Sequence, residues 1–372
     1  MTYRRYAWVE VDTAAITANV RTLKALTPAG TRFMAVVKAD GYGHGALQAS
    51  RAALAGGADR LGVATVEEAV SLREAGITAP LHIVSEPPAS AAGVVLERDI
   101  VATVTTREFA AALGKRAMRA QRSARFHLKI DSGMNRLGVR AEEAADFVTW
   151  LKDFPALEME GAFTHFATAD TLGDWEFDRQ VERFKAVLET LRTEGVRPPV
   201  VHAANSAATI LHPETHFDMV RCGIAIYGLH PSCATYGMVD LVPAMSVKAR
   251  VSFVKRIGLG DGVSYGFTWH AAAPTTIVTL PLGYADGVHR VLSNKMEVLI
   301  AGRRCRQVGR VCMDQLMVEV PTGLTVAPGD EAVLVGAQGS ERILMDELAE
   351  KAGTNNYESA CSFALRMERR HP

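Results

Sequence analysis

The chain has 372 residues, of which 48% are hydrophobic and 22% are charged. Its 41 basic and 41 acidic residues balance, which gives no support for a nucleic-acid or anionic-membrane partner. No stretch approaches the roughly 18 apolar residues that a membrane helix needs. The five cysteines are odd in number and form no Cys-x-x-Cys pair, which disfavours a disulfide framework or a zinc site. We expect a protein of the reducing cytoplasm.

The first 240 residues alternate short apolar runs with amphipathic stretches of helical length. The predicted buried strands are Phe33–Val37, Leu61–Ala64, Leu81–Val84, Ile100–Val104, Phe126–Ile130, Met159–Phe163, Val200–Ala203 and Met219–Val220. The predicted helices are Thr13–Leu26, Ala46–Ala55, Val66–Ala75, Thr106–Arg119, Ala141–Trp150 and Trp175–Leu191. Eight strands with intervening helices predict an α/β barrel, a TIM-like (β/α)8 domain, over residues 1–240. A doubly wound open sheet is the structural alternative.

After about Leu241 the apolar runs become shorter, closer together and punctuated by glycine and proline, which is typical of β structure. The runs are Val247–Val254, Thr276–Leu280, Met296–Ile300, Leu316–Val320 and Ala332–Val335. They predict a mostly β C-terminal domain over residues 241–372, interrupted by a helix near Met345–Ala352. The first strand of the chain, at about residues 7–12, is a candidate to pack with this domain.

Lys38 ends a strongly apolar strand and precedes a glycine-rich turn that reaches Gly45. Active-site groups of barrels lie at the C-terminal ends of the strands. Hydrophobic neighbours lower the pKa of a lysine and suit it to Schiff-base chemistry. The alternative is a lysine that extends to solvent from a strand end.

A second cluster follows the predicted seventh and eighth strands, where barrels commonly form a phosphate site. It begins with His202-Ala-Ala-Asn-Ser206 and continues with Arg221-Cys-Gly-Ile-Ala-Ile-Tyr-Gly. The hydroxyl of Ser206 and backbone amides near Gly223 are suited to binding a phosphate. Arg221 is positioned either to extend into the barrel mouth or to form a structural ion pair.

Eight short motifs in this order, spread over nearly the whole chain, resemble those of the alanine racemase family. They are Lys38 with Tyr-Gly-His-Gly, His127-Leu-Lys-Ile-Asp-Ser-Gly-Met-Asn-Arg136-Leu-Gly, Thr164-His165-Phe-Ala-Thr-Ala-Asp, Arg221-Cys-Gly-Ile-Ala-Ile-Tyr-Gly, Val263-Ser-Tyr265-Gly, Leu282-Gly-Tyr284-Ala-Asp-Gly, Gly309-Arg-Val-Cys-Met313-Asp314-Gln and Gly353-Thr-Asn-Asn-Tyr357-Glu. Cys222 departs from the family pattern, which usually has proline there.

The resemblance implies pyridoxal 5'-phosphate as cofactor, with Lys38 as its covalent anchor. The implied phosphate ligands are Tyr42, Ser206, Tyr357 and the backbone of Gly223 and Ile224. Arg221 would contact the pyridine nitrogen with support from His202, and His165 would lie near the ring and Tyr265. Arg136 would orient the substrate, and Lys129 matches a position that is carbamylated in many members. The backbone of Met313 would bind the substrate carboxylate, while Tyr284 and Asp314 would support the site.

The implied reaction is the racemisation of L-alanine and D-alanine by two bases, Lys38 and Tyr265, on opposite faces of the substrate. In the family, Tyr265 and Met313 reach the site from the other subunit, which implies a head-to-tail homodimer with composite active sites. D-Alanine for peptidoglycan is the usual product. Because arginine stays protonated, Arg221 should keep the pyridine nitrogen neutral and limit transamination.

Alternative functions are separated by particular residues. Related decarboxylases carry a Cys-Glu-Ser-Gly-Asp type motif where this chain has Cys312-Met-Asp-Gln, and cofactor-carrier proteins are single barrels. A racemase of serine, lysine or several amino acids stays open, since a hydrophobic pocket rejects close isosteres poorly. We predict no metal site, because Pro213 disfavours a regular helix through His212 and His216. We expect Cys312 to be a packing residue.

Overall fold

A computed structural model describes residues 5–363 and 366–372. The chain divides into two compact units. Ile16–Gly41 and Ala46–Val242 form one, here called the barrel unit. Met1–Ala15, Tyr42–Gly45 and Pro243–Pro372 form the other, here called the β unit. Among the described residues, no helix is both long enough and apolar enough to cross a membrane.

Strands and helices alternate through the barrel unit, whereas strands predominate in the β unit. In chain order the strands are β1 (Ala7–Val11), β2 (Arg32–Val36), β3 (Arg60–Val63), β4 (Leu81–Ile83), β5 (Ala102–Val104), β6 (Ala124–Asp131), β7 (Val139–Arg140), β8 (Leu157–Phe163), β9 (Val200–His202), β10 (Met219–Cys222), β11 (Met245–Arg250), β12 (Phe253–Ile257), β13 (Thr275–Leu280), β14 (Glu297–Ile300), β15 (Arg303–Arg306), β16 (Leu316–Val320), β17 (Glu331–Gln338), β18 (Glu341–Ile343) and β19 (Glu368–Arg370). The right-handed α-helices are Thr13–Ala25, Ala46–Ala55, Val66–Glu74, Ala92–Glu97, Arg107–Ala120, Ala144–Leu151, Trp175–Thr193, Ser206–Leu211, Met345–Ala352 and Asn356–Ser362.

The barrel unit contains eight parallel strands in the order β4-β3-β2-β10-β9-β8-β6-β5. A parallel bridge between His82 and Val101 joins the two ends, where the Ile83 N–H donates to the Val101 carbonyl at 3.0 Å. The predicted (β/α)8 barrel is therefore confirmed, and the open-sheet alternative is wrong. Strand β10 runs to Cys222, two residues beyond its predicted end, so Arg221 lies within the strand.

Local sequence signals start several of the surrounding helices. Thr65 and Glu68 form a reciprocal capping box at the start of Val66–Glu74. It provides acceptors for two backbone N–H groups that have none within the helix. Thr106 and Asp174 cap the helices that follow them with a single hydrogen bond each, in which the side chain accepts a backbone N–H. These caps fix where each helix begins and so hold the strand ends that carry the site.

The β unit contains two antiparallel arrangements. One sheet has the order β15-β14-β17-β11-β1-β19, in which β1 pairs antiparallel with β11 and parallel with β19. The other has the order β12-β13-β16. The apolar run Val247–Val254 contains parts of two strands, because the chain changes sheets within it: the Val251 N–H donates to the Asp330 carbonyl and the Ser252 N–H to the Thr279 carbonyl. The predominantly β character of this part of the chain is confirmed.

Gly161 in β8 has no room for a side chain. A Cβ there would lie 2.4 Å from the Val200 carbonyl oxygen and 2.6 Å from the His127 ring. Gly161→Ala should therefore destabilise the barrel by about 1–3 kcal/mol, the usual effect of overpacking. The measurement is the urea midpoint of unfolding.

Gly93 provides the matched control for this substitution. A Cβ at Gly93 would lie 3.6 Å from its nearest neighbour, Arg116, inside the helix Ala92–Glu97. Alanine favours a helix more than glycine does, so Gly93→Ala should keep or raise the midpoint. Equal midpoints for the two variants would contradict the close approach at Gly161.

Candidate active site

Lys38 follows β2 and begins a turn of left-handed backbone. Ala39, Asp40 and Gly41 have φ values of 52°, 51° and 62°, and Tyr42 continues with a φ of 53°. Non-glycine residues in this region cost roughly 1–2 kcal/mol each. Such strain persists only where neighbouring groups impose it, and it is frequent at functional sites.

Hydrogen bonds within the barrel unit hold this turn. The Glu68 carboxylate accepts the Ala39 N–H at 2.7 Å and also the Ala64 N–H at 2.8 Å. The Asp40 carboxylate accepts the Ala46 N–H at 2.8 Å. The strained turn is thus fixed at both ends, which fixes the direction in which the Lys38 side chain leaves the strand.

Four basic side chains of the barrel unit act on one another electrostatically. Lys129, on β6, is buried. Burial first, and then the charges of Arg136 and Arg221, lower the pKa of Lys129 to about 7, with a smaller contribution from Lys38. Asp131 opposes this shift. The positive charges of Arg136 and Arg221 beside Lys129 make this region attractive to an anionic ligand.

Arg136 is exposed in the loop that follows β6. Asp131 shapes this loop, because its carboxylate accepts the backbone N–H groups of Gly133 and Asn135 at 2.9 and 3.1 Å. Asn135 has a φ of 55°, and an asparagine tolerates that conformation better than most residues. The loop therefore presents Arg136 from a defined turn.

Arg221 is buried on β10 and bonds only to neutral acceptors among the described residues. Nη1 donates to His202 Nδ1 at 3.0 Å, and Nη2 contacts His165 Nδ1 at 3.0 Å. The carbonyls of Thr164 and Ala203 accept from Nη2 at 2.8 and 2.9 Å. Burial lowers the pKa of Arg221 to about 9, so the guanidinium stays charged at neutral pH.

His165 and His202 are neutral in this environment. Burial, followed by the charge of Arg221, lowers the pKa of both imidazoles well below the ordinary value. An arginine can only donate, so each imidazole must accept at Nδ1 and carry its hydrogen on Nε2. His165 therefore retains one N–H for another partner.

The predicted phosphate residues of the barrel unit lie together. Ser206 Oγ accepts the backbone N–H of Gly223 at 2.9 Å and that of Ala225 at 3.5 Å. Ile224 begins the short 3-10 turn that follows Gly223. Cys222 is buried, and burial raises the pKa of its thiol to about 12. This departure from the family pattern thus places an inert thiol beside the loop.

Tyr42 and Tyr357 both belong to the β unit. Their ring centroids are 6.3 Å apart with the planes tilted by 53°. Tyr357 lies in the first turn of the helix Asn356–Ser362, which Asn355 caps by accepting the Glu358 N–H at 2.9 Å. The two predicted phosphate-binding tyrosines are therefore neighbours.

Tyr265 lines a cavity of about 520 Å³ in the β unit, together with Cys312 and Gln315. Its side chain is 73% exposed, and neighbouring Phe267 is 61% exposed. Ser264 precedes it with a φ of 67° and is fixed by donating to the Arg310 carbonyl at 2.7 Å. Cys312 Sγ lies 3.3 Å from Ser264 Oγ, which supports its interpretation as a packing residue.

Met313 and Asp314 are tied to the loop that carries Tyr284. The Met313 carbonyl accepts the Ala285 N–H at 3.0 Å, and the Cys312 carbonyl accepts the Tyr284 N–H at 3.0 Å. Asp314 pairs with Arg366 at 2.7 Å. The C-terminal segment therefore supports the predicted substrate-binding loop directly.

Arg366 also reaches the buried carboxylate of Asp286. Two contacts of 2.7 and 3.0 Å join them. Burial opposes ionisation of Asp286, but hydrogen bonds from Arg5 and Arg366 hold its pKa below the ordinary value. Because Asp286 Oδ2 accepts the Gly283 N–H at 2.9 Å, this ion pair anchors the turn at Tyr284.

Three histidines are buried side by side inside the barrel, and the sequence predicted no shared role for them. His82, His127 and His202 lie close enough together to form a possible metal-ligand set. The sequence does contain one signal for His127. It lies two residues before Lys129, and alternate residues of a strand share a face, so both side chains are expected on the same side of β6. By contrast, His212 and His216 each contact a backbone carbonyl through Nε2, at 3.1 and 3.0 Å.

Comparison with known proteins identifies relatives over the full length of the chain. Residues 11–231 match the family described as alanine racemase, N-terminal domain, and residues 244–371 match alanine racemase, C-terminal domain. The alanine racemase of Symbiobacterium thermophilum is 47% identical over 365 residues, which are 98% of this chain and 97% of that protein. The crystal structure of alanine racemase from Bacillus anthracis with bound L-Ala-P has a TM-score of 0.95 at 40% identity. The structural match covers 100% of this chain and 96% of the Bacillus anthracis chain.

A racemase of another amino acid also has this architecture. The histidine racemase of Leuconostoc mesenteroides subsp. sake has a TM-score of 0.92 at 30% identity, covering 100% of this chain and 99% of that one. The fold alone therefore does not fix the side chain of the substrate.

Lys129 should react reversibly with carbon dioxide, because only a neutral amine attacks it. With a pKa of about 7, the neutral fraction rises from small to dominant between about pH 6 and pH 8. Carbon-13 NMR of the protein in labelled bicarbonate should show a carbamate signal that grows over this range. Lys129→Gln should lack the signal, and a signal that survives in this variant would place the carbamate elsewhere.

Proposed function

Because this chain belongs to the alanine racemase family, we propose that it interconverts L-alanine and D-alanine with pyridoxal phosphate, using Lys38 and Tyr265 as opposed bases. Alanine racemisation rests on relatives that match at nearly full length. The single structural observation that carries the site assignment is the cluster of Lys38, Lys129, Arg136 and Arg221 at one end of the barrel strands.

The residues present fit the cofactor. The positive charges of Arg136 and Arg221 around Lys129 suit a ligand that carries a phosphate and a phenolic oxygen. Ser206, Gly223 and Ile224 would hold the phosphate, and the family assigns the same role to Tyr42 and Tyr357. Pyridoxal phosphate, when bound, supplies an electron sink that acidifies the α-hydrogen of an amino acid.

Lys38 would hold the cofactor covalently, and its amine would accept or return a proton on one face of the substrate Cα. Tyr265 acts on the opposite face. We assign one base to each face because a single side chain cannot easily serve both.

His165 supports Tyr265 as a neutral donor. Its Nδ1 accepts from Arg221, so its Nε2–H is left to donate to the oxygen of the partner's Tyr265. Such a hydrogen bond would orient the tyrosine. Arg136 orients the substrate, and the backbone of Met313 binds its carboxylate.

Arg221 holds the pyridine nitrogen in the unprotonated state. Its pKa of about 9 keeps it charged, and a guanidinium offers only donors. The nitrogen that it faces must therefore accept. The proton would stay on the arginine, and an unprotonated pyridine nitrogen would make the cofactor a weaker electron sink, which would disfavour transamination.

A homodimer with composite sites accounts for the exposed surface of the β unit. Tyr265, Phe267, Met313 and Tyr284 are 73%, 61%, 53% and 42% exposed. Large exposed apolar groups of this kind mark an interaction surface. In the proposed head-to-tail dimer, Tyr265 and Met313 of one protomer complete the barrel site of its partner.

Alanine is the proposed substrate because the relatives that match at nearly full length are alanine racemases, and Tyr357 and Tyr284 match family positions that would narrow the pocket to a methyl group. The histidine racemase with the same architecture favours a second candidate, a racemase of broader specificity. Initial rates with L-alanine, L-serine, L-lysine and L-histidine decide between them. The same proposal places the enzyme in the cytoplasm, supplying D-alanine for peptidoglycan, and the free buried thiols of Cys222 and Cys305 fit a reducing compartment.

Tyr265→Phe should lower racemisation by about 10²–10⁴-fold, the usual contribution of a positioned acid or base. In deuterated water this variant should still exchange the α-hydrogen of one alanine enantiomer, because Lys38 continues to serve its own face. Lys38→Ala should abolish racemisation. The matched control is Tyr6→Phe, which removes a hydroxyl from an exposed tyrosine; exchange of both enantiomers by Tyr265→Phe would exclude Tyr265 as a base.

Arg221→Glu should increase transamination relative to racemisation, because a carboxyl group allows the pyridine nitrogen to hold a proton. The measurement compares pyruvate with D-alanine formed from L-alanine. Thermal unfolding of the variant establishes that it is folded. An unchanged ratio in the folded variant would show that Arg221 does not control the competing reaction.

A further inference from the structure

A line of buried polar groups leads away from Arg221 into the barrel. Arg221 Nη1 lies 3.0 Å from His202 Nδ1, and His202 Nε2 lies 2.8 Å from His127 Nδ1. His127 Nε2 then faces the Glu160 carboxylate at 3.7 Å. His127 and Glu160 have no part in binding or catalysis as proposed above.

The hydrogen positions along this line follow from its first member. Arg221 can only donate, so His202 Nδ1 accepts. A neutral imidazole carries one hydrogen, which must then be on His202 Nε2 and must be donated to His127 Nδ1. His127 in turn carries its hydrogen on Nε2, directed toward Glu160. The low pKa values of both imidazoles agree with neutral rings.

Arg60 competes with Glu160 for the far end of this line. Its Nη1 lies 3.4 Å from His127 Nε2. Donation from Arg60 would force the His127 hydrogen onto Nδ1, where it would oppose the hydrogen on His202 Nε2. Glu160 binds Arg60, and its carboxylate lies 3.7 Å from His127 Nε2. That distance is too long for a hydrogen bond, but the negative charge of Glu160 favours a hydrogen on this nitrogen and so favours one direction for the whole line. Burial opposes ionisation of Glu160, but its interactions with His127 and Arg60 lower its pKa to about 2.

This arrangement depends on an interruption of the regular pairing between β6 and β8. The register between β6 and β8 shifts at Phe126/His127, where Met159 and Gly161 become successive partners and Glu160 is the extra residue. Such a bulge redirects a side chain. Gly161 leaves the space that the His127 ring occupies, and Phe163 stacks on His202 with centroids 4.6 Å apart.

A metal ion at His82, His127 and His202 is a poorer explanation of the cluster. His202 uses both nitrogens, one toward Arg221 and one toward His127. His82 Nε2 lies 3.1 Å from Thr103 Oγ1, which itself donates to the Ile83 carbonyl. The charges of Arg60, Arg221 and Lys129 also act on this region, and they would oppose a bound cation.

We propose that Glu160 is a positioning residue that acts through His127 and His202 to orient the Arg221 guanidinium and to offset its buried charge. The chain of imidazole dipoles places an accepting nitrogen against the guanidinium and a donating nitrogen against the carboxylate. Its last step, from Arg221 to the pyridine nitrogen, rests on the proposed function. The arrangement from Glu160 to Arg221 stands without that step.

The first experiment determines the imidazole tautomers of the unaltered, cofactor-loaded enzyme. Protein labelled with nitrogen-15 in histidine gives long-range proton–nitrogen correlations that identify the protonated nitrogen of each ring, with His127→Gln and His202→Gln used for assignment. The expected result is N–H at Nε2 of both His127 and His202. A hydrogen on Nδ1 of either ring would overturn the proposal, whether or not the enzyme racemises alanine.

The second experiment compares Glu160→Gln with Glu158→Gln. Glu158 lies two residues away on the same strand and is exposed, so the control makes the same chemical change without touching His127. Glu160→Gln should shift the His202 Nδ1 resonance and lower kcat by about tenfold with little change in KM. Tenfold is the scale on which removing a supporting outer partner affects a functional group.

Each outcome has a defined meaning. A shifted His202 resonance and a lower kcat in Glu160→Gln alone support the proposal. Equal behaviour of the two variants overturns it. If Glu160→Gln does not fold, the tautomers of the unaltered enzyme still decide the proposal. Loss of racemisation from the unaltered enzyme would count against the proposed function, but the nitrogen-15 result would stand apart from it.

Discussion

The buried guanidinium of Arg221 determines how the other polar side chains inside the barrel are arranged. A charge removed from water is costly unless hydrogen bonds replace its hydration. Here the replacements are two backbone carbonyls and two imidazoles, all of them neutral. Neutral partners leave the arginine free to direct its charge toward a ligand instead of having it cancelled by an adjacent carboxylate.

The same charge explains the protonation states around it. His165 and His202 are neutral because they are buried beside Arg221. Lys129 is half neutral near pH 7, because burial and the charges of Arg136 and Arg221 disfavour its ammonium form. A site rich in basic side chains thus contains neutral imidazoles and a partly neutral lysine at physiological pH, and these are the forms that can accept protons or react with electrophiles.

Strain at Lys38 has a comparable purpose in the backbone. Three non-glycine residues of the left-handed turn, Ala39, Asp40 and Tyr42, have φ values of 51–53°, and Glu68 and Asp40 hold the turn with carboxylate–amide hydrogen bonds. Pre-organisation of this kind keeps a reactive side chain in one direction, whereas a relaxed turn would allow several. In the β unit, the pairing of Arg366 with Asp286 and Asp314 fixes the loops of Tyr284 and Met313 by another means.

The sequence by itself determined the barrel, the β-rich C-terminal part and the order of the motifs, because strand and helix periodicity are local properties of the chain. Short motifs in the sequence also identified Lys38, Arg221 and Tyr265 as candidate site residues. Only the tertiary structure showed that Val247–Val254 is divided between two sheets, and that Glu160 turns toward His127 at a bulge. A change of sheet and a bulge depend on which distant strands pair. Likewise, the tautomers of His127 and His202 depend on Arg221 and Glu160, so nothing local to either histidine could have revealed them.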